Sequence, residues 1–314
     1  MKHQRSLAYA AFATVCIVWG TTYLFIRIAV ETIPPFLLTG IRFTAAGGVM
    51  LAIALARGER IPRDRNTLFN LAFVGLLMVG MGNLSVVVAE QWVPSGLAAL
   101  FVATAPFWAS MLEWMHGKAQ QLDRRAIIGM IVGFVGVAML VMPGGGSSHS
   151  QTSKWILIGA LLIQVGGVGW QYGTIRSKYF VRNVPLFTAS AIEMLVGGVV
   201  LDIAGLALGE GSRIAFTPRT LGALAYLSLF GSVIAFSAYI FAAAHLSTTK
   251  LALYAYVNPA VAVFLGWLVL KEQLTVVSIT AMVVILCGVA LVQSAKMKRR
   301  GMPTSAGITA QKVA

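Results

Sequence analysis

Charged residues make up only 11% of the 314 positions, with 10 Asp and Glu against 24 Lys and Arg, while hydrophobic residues make up 58%. A water-soluble domain carries about 25% charged residues, so this chain has too little charge to coat a surface facing water. It also has only two cysteines and four histidines. Cys16 and Cys287 lie far apart in apolar stretches without C-x-x-C spacing, which leaves them as small packing residues rather than disulfide or metal partners. His3, His116, His149 and His245 fall in tails or loops, and neither G-x-S-x-G nor H-E-x-x-H occurs, so nothing here predicts an enzyme. A Walker A sequence is also missing, which excludes ATP hydrolysis by the chain itself. No cofactor and no metal is expected.

The net charge of +14 raises nucleic acid as a partner. A nucleic-acid binder gathers its basic residues on one soluble face with aromatics between them. Here they occupy short gaps between apolar runs, the distribution of a membrane protein, and no nucleic-acid partner is expected. A spanning helix needs about 20 mostly apolar residues to cross roughly 30 Å of hydrocarbon. That length predicts spans near 8–28, 35–56, 68–89, 94–115, 125–142, 155–175, 186–208, 219–242, 248–270 and 275–295. The N-terminal run is too long for a signal peptide and lacks a small-x-small cleavage site, so it is read as the first span. GGGSSHSQTSK (144–154) reads as a loop and 296–314 as a disordered basic tail.

With the N-terminus in the cytoplasm, the inside gaps take most of the basic residues, among them Arg57, Arg60, Arg63, Arg65, Lys118, Arg124, Arg125, Arg176, Lys178 and the tail. The outside gaps keep only Arg27, Lys154, Arg213, Arg219 and Lys271. The positive-inside rule therefore predicts that both termini are cytoplasmic. The two halves also match. PFLLTGIRFTAAGGVML (35–51) lies over PLFTASAIEMLVGGVVL (185–201) at an offset of 150, APFWASMLEW (105–114) over NPAVAVFLGW (258–267) at 153, and GVAML (136–140) over GVALV (288–292) at 152. Their order and near-constant offset read as a duplication of 1–143 in 155–295. Five spans is an odd number, so the second copy enters the membrane inverted.

WGTTY (19–23), Arg42-Phe43 after Pro34-Pro35, VPSGLAALFVATAPFWASML (93–112), and LFGSVIAFSAY (229–239) leading to AYVNPAVAVFLGWLVLKEQLT (255–275) resemble the EamA-type proteins of the drug/metabolite transporter superfamily. The likeness runs to about residue 295 and is nearest the bacterial inner-membrane members of the YedA/PecM kind. It implies an all-α integral membrane protein of ten transmembrane helices in two inverted five-helix repeats, moving small metabolites, often outwards, across the bacterial inner (plasma) membrane.

Charge inside the apolar runs is where function is sought. Arg27 ends the first span and is read as snorkelling to the headgroups, with Glu31 in the turn beyond. Arg42 comes seven residues after Pro35, roughly 10 Å into its helix at 1.5 Å per residue, and reads either as a structural anchor or as a substrate or gate contact. Glu193 sits one position past the repeat equivalent of Arg42, so the two charges approach the middle from opposite sides. They face a central aqueous cavity and pair with each other or with a zwitterionic substrate in turn, or they form a permanent ion pair, or they do not touch. Glu193 is also the candidate proton carrier. Glu90, Glu113, Asp202 and Lys271-Glu272 lie nearer span ends and read as solvated or interfacial.

Pro106 and Pro259 occupy matching positions and are the candidate helix kinks, freeing the carbonyls of Val102 and Ala255, with Thr104 and Asn258 beside them to bond the freed backbone or a ligand. Trp19, Tyr23, Asn83, Gln164, Trp170, Gln171, Tyr254 and Tyr256 are placed around this centre, either as substrate contacts or as helix packing. Trp92, Trp155 and Tyr226 read as belt residues. GMIVGFVG (129–136) serves close helix packing within the chain or a dimer, and the oligomeric state stays open. The expected function is export of amino acids or related amphipathic compounds by alternating access, driven by proton exchange or by the substrate's own gradient. A lipid or lipid-linked-sugar flippase, with Arg42 as headgroup anchor, is the alternative.

Overall fold

The computed structural model describes residues 2–115, 124–141, 150–181, 184–246 and 254–300. The helices are α1 (Lys2–Ala29), α2 (Pro35–Ala56), α3 (Arg65–Gly75), α4 (Leu84–Ala89), α5 (Ser95–Val102), α6 (Ala105–Met115) and α7 (Arg124–Val141). They continue with α8 (Ser150–Phe180), α9 (Leu186–Ala207), α10 (Pro218–Tyr226), α11 (Ala235–His245), α12 (Tyr254–Leu270) and α13 (Val276–Arg300). π-Helices over Leu76–Asn83 and Leu227–Ile234 join α3 to α4 and α10 to α11. No strand occurs among the described residues.

Seven segments are long and apolar enough to cross a membrane: 6–29, 35–56, 65–89, 95–112, 154–177, 186–207 and 218–239, with shorter apolar helices at 257–270 and 276–292. Burial runs opposite to that of a soluble protein. Phe69, Ile203 and Leu206 are each 63% exposed on the outside, whereas Thr39, Thr188 and Glu90 are sealed inside. α8 begins at Ser150, within the stretch expected to be a loop, and α13 runs to Arg300, past the expected start of the tail. The rest of both expectations, 144–149 and 301–314, lies outside the described residues.

α2 and α9 form the closest pair in the bundle, and glycine sets their distance. A methyl group on Gly198 would fall 2.5 Å from the Thr44 amide nitrogen, and one on Gly47 would fall 2.8 Å from that of Leu195. The two helices run antiparallel, and the two contacts map onto each other when each number moves by 151. α7 and α13 meet the same way, backbone on backbone, with a methyl on Gly129 2.6 Å from the Gly288 carbonyl oxygen. Gly133 and Gly136 of the same GMIVGFVG stretch face Phe107 and Ile285, so the motif packs within the chain.

The spacing of 151 recurs elsewhere. Both π-helices keep it, as do the extended N-cap residues Pro34 and Pro185. Prolines at a helix start leave following N–H groups without a side-chain cap of their own. Carboxylates from another helix end supply it. Gly58 (φ 70°) closes α2 in the left-handed region and lets the next residue, Glu59, accept from Thr188 N and Oγ1 at 2.9 Å each at the start of α9. Gly209 (φ 74°) closes α9, and Glu210 accepts from Leu37 N at 2.9 Å at the start of α2. A third turn does the same after α12. Lys271 takes the left-handed conformation (φ 57°), and Glu272 accepts from Ser95 N at 2.7 Å and Gly96 N at 3.2 Å at the start of α5. Each such carboxylate also faces the positive end of a helix dipole. α3, by contrast, is capped locally by Asp64, whose carboxyl is held below its ordinary pKa by the Thr67 amide donating to it.

Candidate functional site

A π-helix carries one residue more per turn than an α-helix and leaves backbone carbonyls turned away from the regular ladder. In the second π-helix, Gly231 O accepts from Trp19 Nε1 (3.2 Å) and Ser232 Oγ accepts from Arg42 Nε (3.0 Å). This widened turn therefore brings α1 and α2 to one point. Trp19 also meets Tyr239 and Tyr254, each with ring centroids 5.3 Å away, and these two tyrosines meet edge to face at 6.1 Å. The Arg42 guanidinium lies 4.7 Å over the Phe43 ring and is 5% exposed. Its terminal nitrogens donate to no described residue, and Nη2 lies close to Gly231. An arginine held by one nitrogen, its planar fork without a described acceptor and three aromatic rings nearby, can take an anionic group attached to an apolar body.

The counterpart lies 151 positions on, where Trp170 and Glu193 stand in the places of Trp19 and Arg42. Trp170 packs on Gly82 of the first π-helix, in which Asn83 Nδ2 bonds back to Met78 O at 3.2 Å. Glu193 is 9% exposed and accepts from Ser177 Oγ at 3.4 Å. Gln171 beside Trp170 is half-buried.

Arg42 and Glu193 do not pair in this conformation. The described ion pairs are Arg57–Glu59 at 3.9 Å and Arg219–Glu31 at 3.2 Å. The α2–α9 register explains why. With Gly47 against Leu195, Glu193 lies level with about residue 49, some seven residues from Arg42 and so roughly 10 Å along the axis.

The other expected residues separate into two groups. Trp19, Arg42 and Tyr254 come together, and Tyr23 is buried nearby in the apolar cluster of Leu97, Phe101 and Ala262. Gln164 and Asn258 are instead occupied by the backbone. The helix of Pro106 breaks at Ala103-Thr104, and Phe101 O accepts from Thr104 Oγ1 (2.7 Å) and Gln164 Nε2 (3.2 Å), while Gln164 Oε1 accepts from Thr104 Oγ1 (2.9 Å) and Trp108 Nε1 (2.7 Å). Asn258, with its amide nitrogen turned to the two carbonyls, donates to Tyr254 O (3.1 Å) and Cys16 O (3.0 Å). The carbonyls held by side chains are thus those of Phe101 and Tyr254, one residue before the expected Val102 and Ala255; at Phe101 the chain turns ahead of the proline, whereas Pro259 lies inside the continuous helix α12. The side chain of Tyr256 lies outside the described residues.

Because Gln164 carries the break in the chain, Gln164→Leu removes the acceptor of the part-buried Trp108 N–H and the donor to Phe101 O, and should destabilise the folded protein by about 1–3 kcal/mol. Thermal unfolding in detergent measures this; lost transport at unchanged stability would instead make Gln164 a ligand contact.

Charges at the span ends make bonds that the sequence did not show. Arg27 Nη1 donates to the backbone carbonyl of Glu90. Glu90 is not solvated but fully sealed, and Asp202 accepts from Thr44 Oγ1 at 2.7 Å between α2 and α9. Tyr239, Ser232 and Trp108 also escaped the sequence reading, for nothing in an apolar run marks which helix face meets a widened turn.

A family model described as the EamA-like transporter family matches residues 6–142 and again 157–294. The chain is similar to the "Uncharacterized inner membrane transporter YedA" of Escherichia coli K12, at 40% identity over 292 residues, covering 92% of this chain and 91% of that protein. It is similar to the "Uncharacterized transporter YvbV" of Bacillus subtilis at 24% identity, with 90% of each covered. One solved crystal structure superposes with a TM-score of 0.64 at 20% identity, over 94% of this chain and 98% of that one, a likeness of fold.

Proposed function

The chain belongs to the EamA-like transporter family, and we propose that within it the protein works as a bacterial inner-membrane secondary transporter that exports small amphipathic metabolites, such as amino acids, by alternating access. The carrying observation is the buried Arg42 guanidinium, bonded to a described residue through Nε alone, next to Trp19 and its partners Tyr239 and Tyr254, with Glu193 and Trp170 at the positions 151 residues on. An anionic group would meet Arg42, a cationic one Glu193, and the rings would hold the apolar part.

Two inverted repeats of five spans, 1–143 and 155–295, are the architecture we infer. The double match to the family model supports it, as do the paired π-helices and the self-matching α2–α9 contact. The α2–α9 pair would be the fixed part, and the helices bearing the aromatic rings would rock against it. The positive-inside distribution supports cytoplasmic termini.

The test compares metabolites in the medium of cells overproducing the chain with those of cells producing Glu193→Gln at equal membrane level. Selective appearance of a zwitterionic compound with the intact chain alone supports both the export reading and the place of Glu193. Equal export by both removes Glu193 from the site. Export of nothing by either turns the assignment towards uptake or lipid flipping.

A further inference from the structure

We propose, resting on the transporter reading above, that Glu90 is a proton-binding site, neutral in the conformation described and ionised when the far end of the bundle, where α1 ends, opens to water. Glu90 caps the C-terminus of α4 and is 0% exposed. Both of its carboxylate oxygens are sealed and accept no hydrogen bond. An ionised carboxylate sealed without a donor loses its hydration for nothing, at several kcal/mol, whereas a neutral carboxyl loses far less. The proton is the group that reconciles the burial with the missing partners.

The surroundings have the parts of a two-state site. The titratable and charged groups facing Glu90 are Arg27 and Tyr23 from α1, Arg42 from α2, and Glu272 from the turn between α12 and α13. Neither cation bonds the Glu90 carboxylate in this state. Arg27 donates to the Glu90 backbone carbonyl rather than to its carboxylate, and Arg42 Nε donates to Ser232. Glu272 is fixed as an acceptor for the start of α5, an anion that opposes a second one nearby. α8 meets this turn through Gly159 against Ala89 and Val93.

When water enters from the far end, the Glu90 O–H bond breaks, its electron pair stays on the carboxylate, and the proton leaves on water as hydronium. Arg27, already bonded to the same residue, needs only to move from the carbonyl to the carboxylate. Closing drives the reverse, because resealing favours the neutral carboxyl. Proton binding at Glu90 thereby favours the sealed far end, so acidity on that side of the membrane shifts the access equilibrium towards it.

The test has two parts. Infrared spectra of the full chain in lipid bilayers, at a pH near 7 where exposed carboxylates are ionised, should contain the C=O band of a neutral carboxylic acid, and Glu90→Gln should lose it. Gln keeps the size and neutrality of the protonated side chain, so the variant should fold; Glu193→Gln, measured alongside, assigns any remaining band and decides the matter if it does not. In cells, export by the intact chain should change with external pH, by at most about tenfold per unit for one proton, and export by Glu90→Gln should not. An unchanged band in Glu90→Gln, or an identical pH dependence of export in both, overturns the proposal. If the intact chain exports nothing at any pH, the transporter reading fails, while the infrared band still decides whether Glu90 holds a proton.

Discussion

Gly47→Ala should remove most of the folded protein from the membrane, while Gly48→Ala, one residue away, should leave it unchanged or slightly more stable. The two glycines share a helix and a propensity but not a surrounding. A methyl on Gly48 meets nothing within 4 Å, whereas on Gly47 it falls 2.8 Å from a backbone nitrogen and 3.1 Å from the Ala191 carbonyl oxygen of α9. Helix backbones cannot step aside as side chains do, so the pair must separate along its length. Overpacking of this kind costs about 1–3 kcal/mol or more, against a gain of at most about 1 kcal/mol from replacing helical glycine by alanine. Gly198→Ala should be as severe, since its methyl would meet the Thr44 backbone. Thermal unfolding of the solubilised protein gives the comparison, and equal melting temperatures for the Gly47 and Gly48 variants would contradict it.

Arg42→Gln should lower transport by roughly ten- to a hundredfold at unchanged membrane level, the worth of one charge-assisted hydrogen bond at about 1.5–3 kcal/mol. Under the proposed function, the forked end of the guanidinium meets the substrate and Nε only aims it. Arg42→Lys should restore part of the loss, because it keeps the charge but neither the planar fork nor the Ser232 bond. Ser232→Ala should act more mildly, through orientation alone. A purely structural Arg42 would give another pattern: Arg42→Gln protein would disappear from the membrane, and transport per molecule would stay the same.

Hydropathy carried the positions of the seven long apolar helices, because a helix in lipid must be apolar over its whole length wherever it sits. Repeat matches of 150 to 153 bracketed the spacing of 151, which aligns Trp19 with Trp170 and Arg42 with Glu193. Facing was harder to see. A hydropathy profile gives depth along a helix but not the neighbour on each side, so it left Gln164 as a substrate contact or helix packing, where the structure has it holding a broken backbone, and Glu90 as solvated or interfacial, where it is sealed. The helix-end pairs Gly58-Glu59 and Gly209-Glu210 were visible as a repeated Gly-Glu, yet charge at a span end looks solvated until the partner helix is in place.

Those same pairs bear on how the protein responds to membrane voltage. The macrodipoles of antiparallel α2 and α9 oppose each other, and Glu59 and Glu210 put one negative charge at each end of the pair. The field across the membrane, worth about 2.3 kcal/mol per elementary charge per 100 mV, therefore finds little net dipole to act on in this unit. Any voltage dependence of turnover would belong to the charges that change place or protonation relative to it.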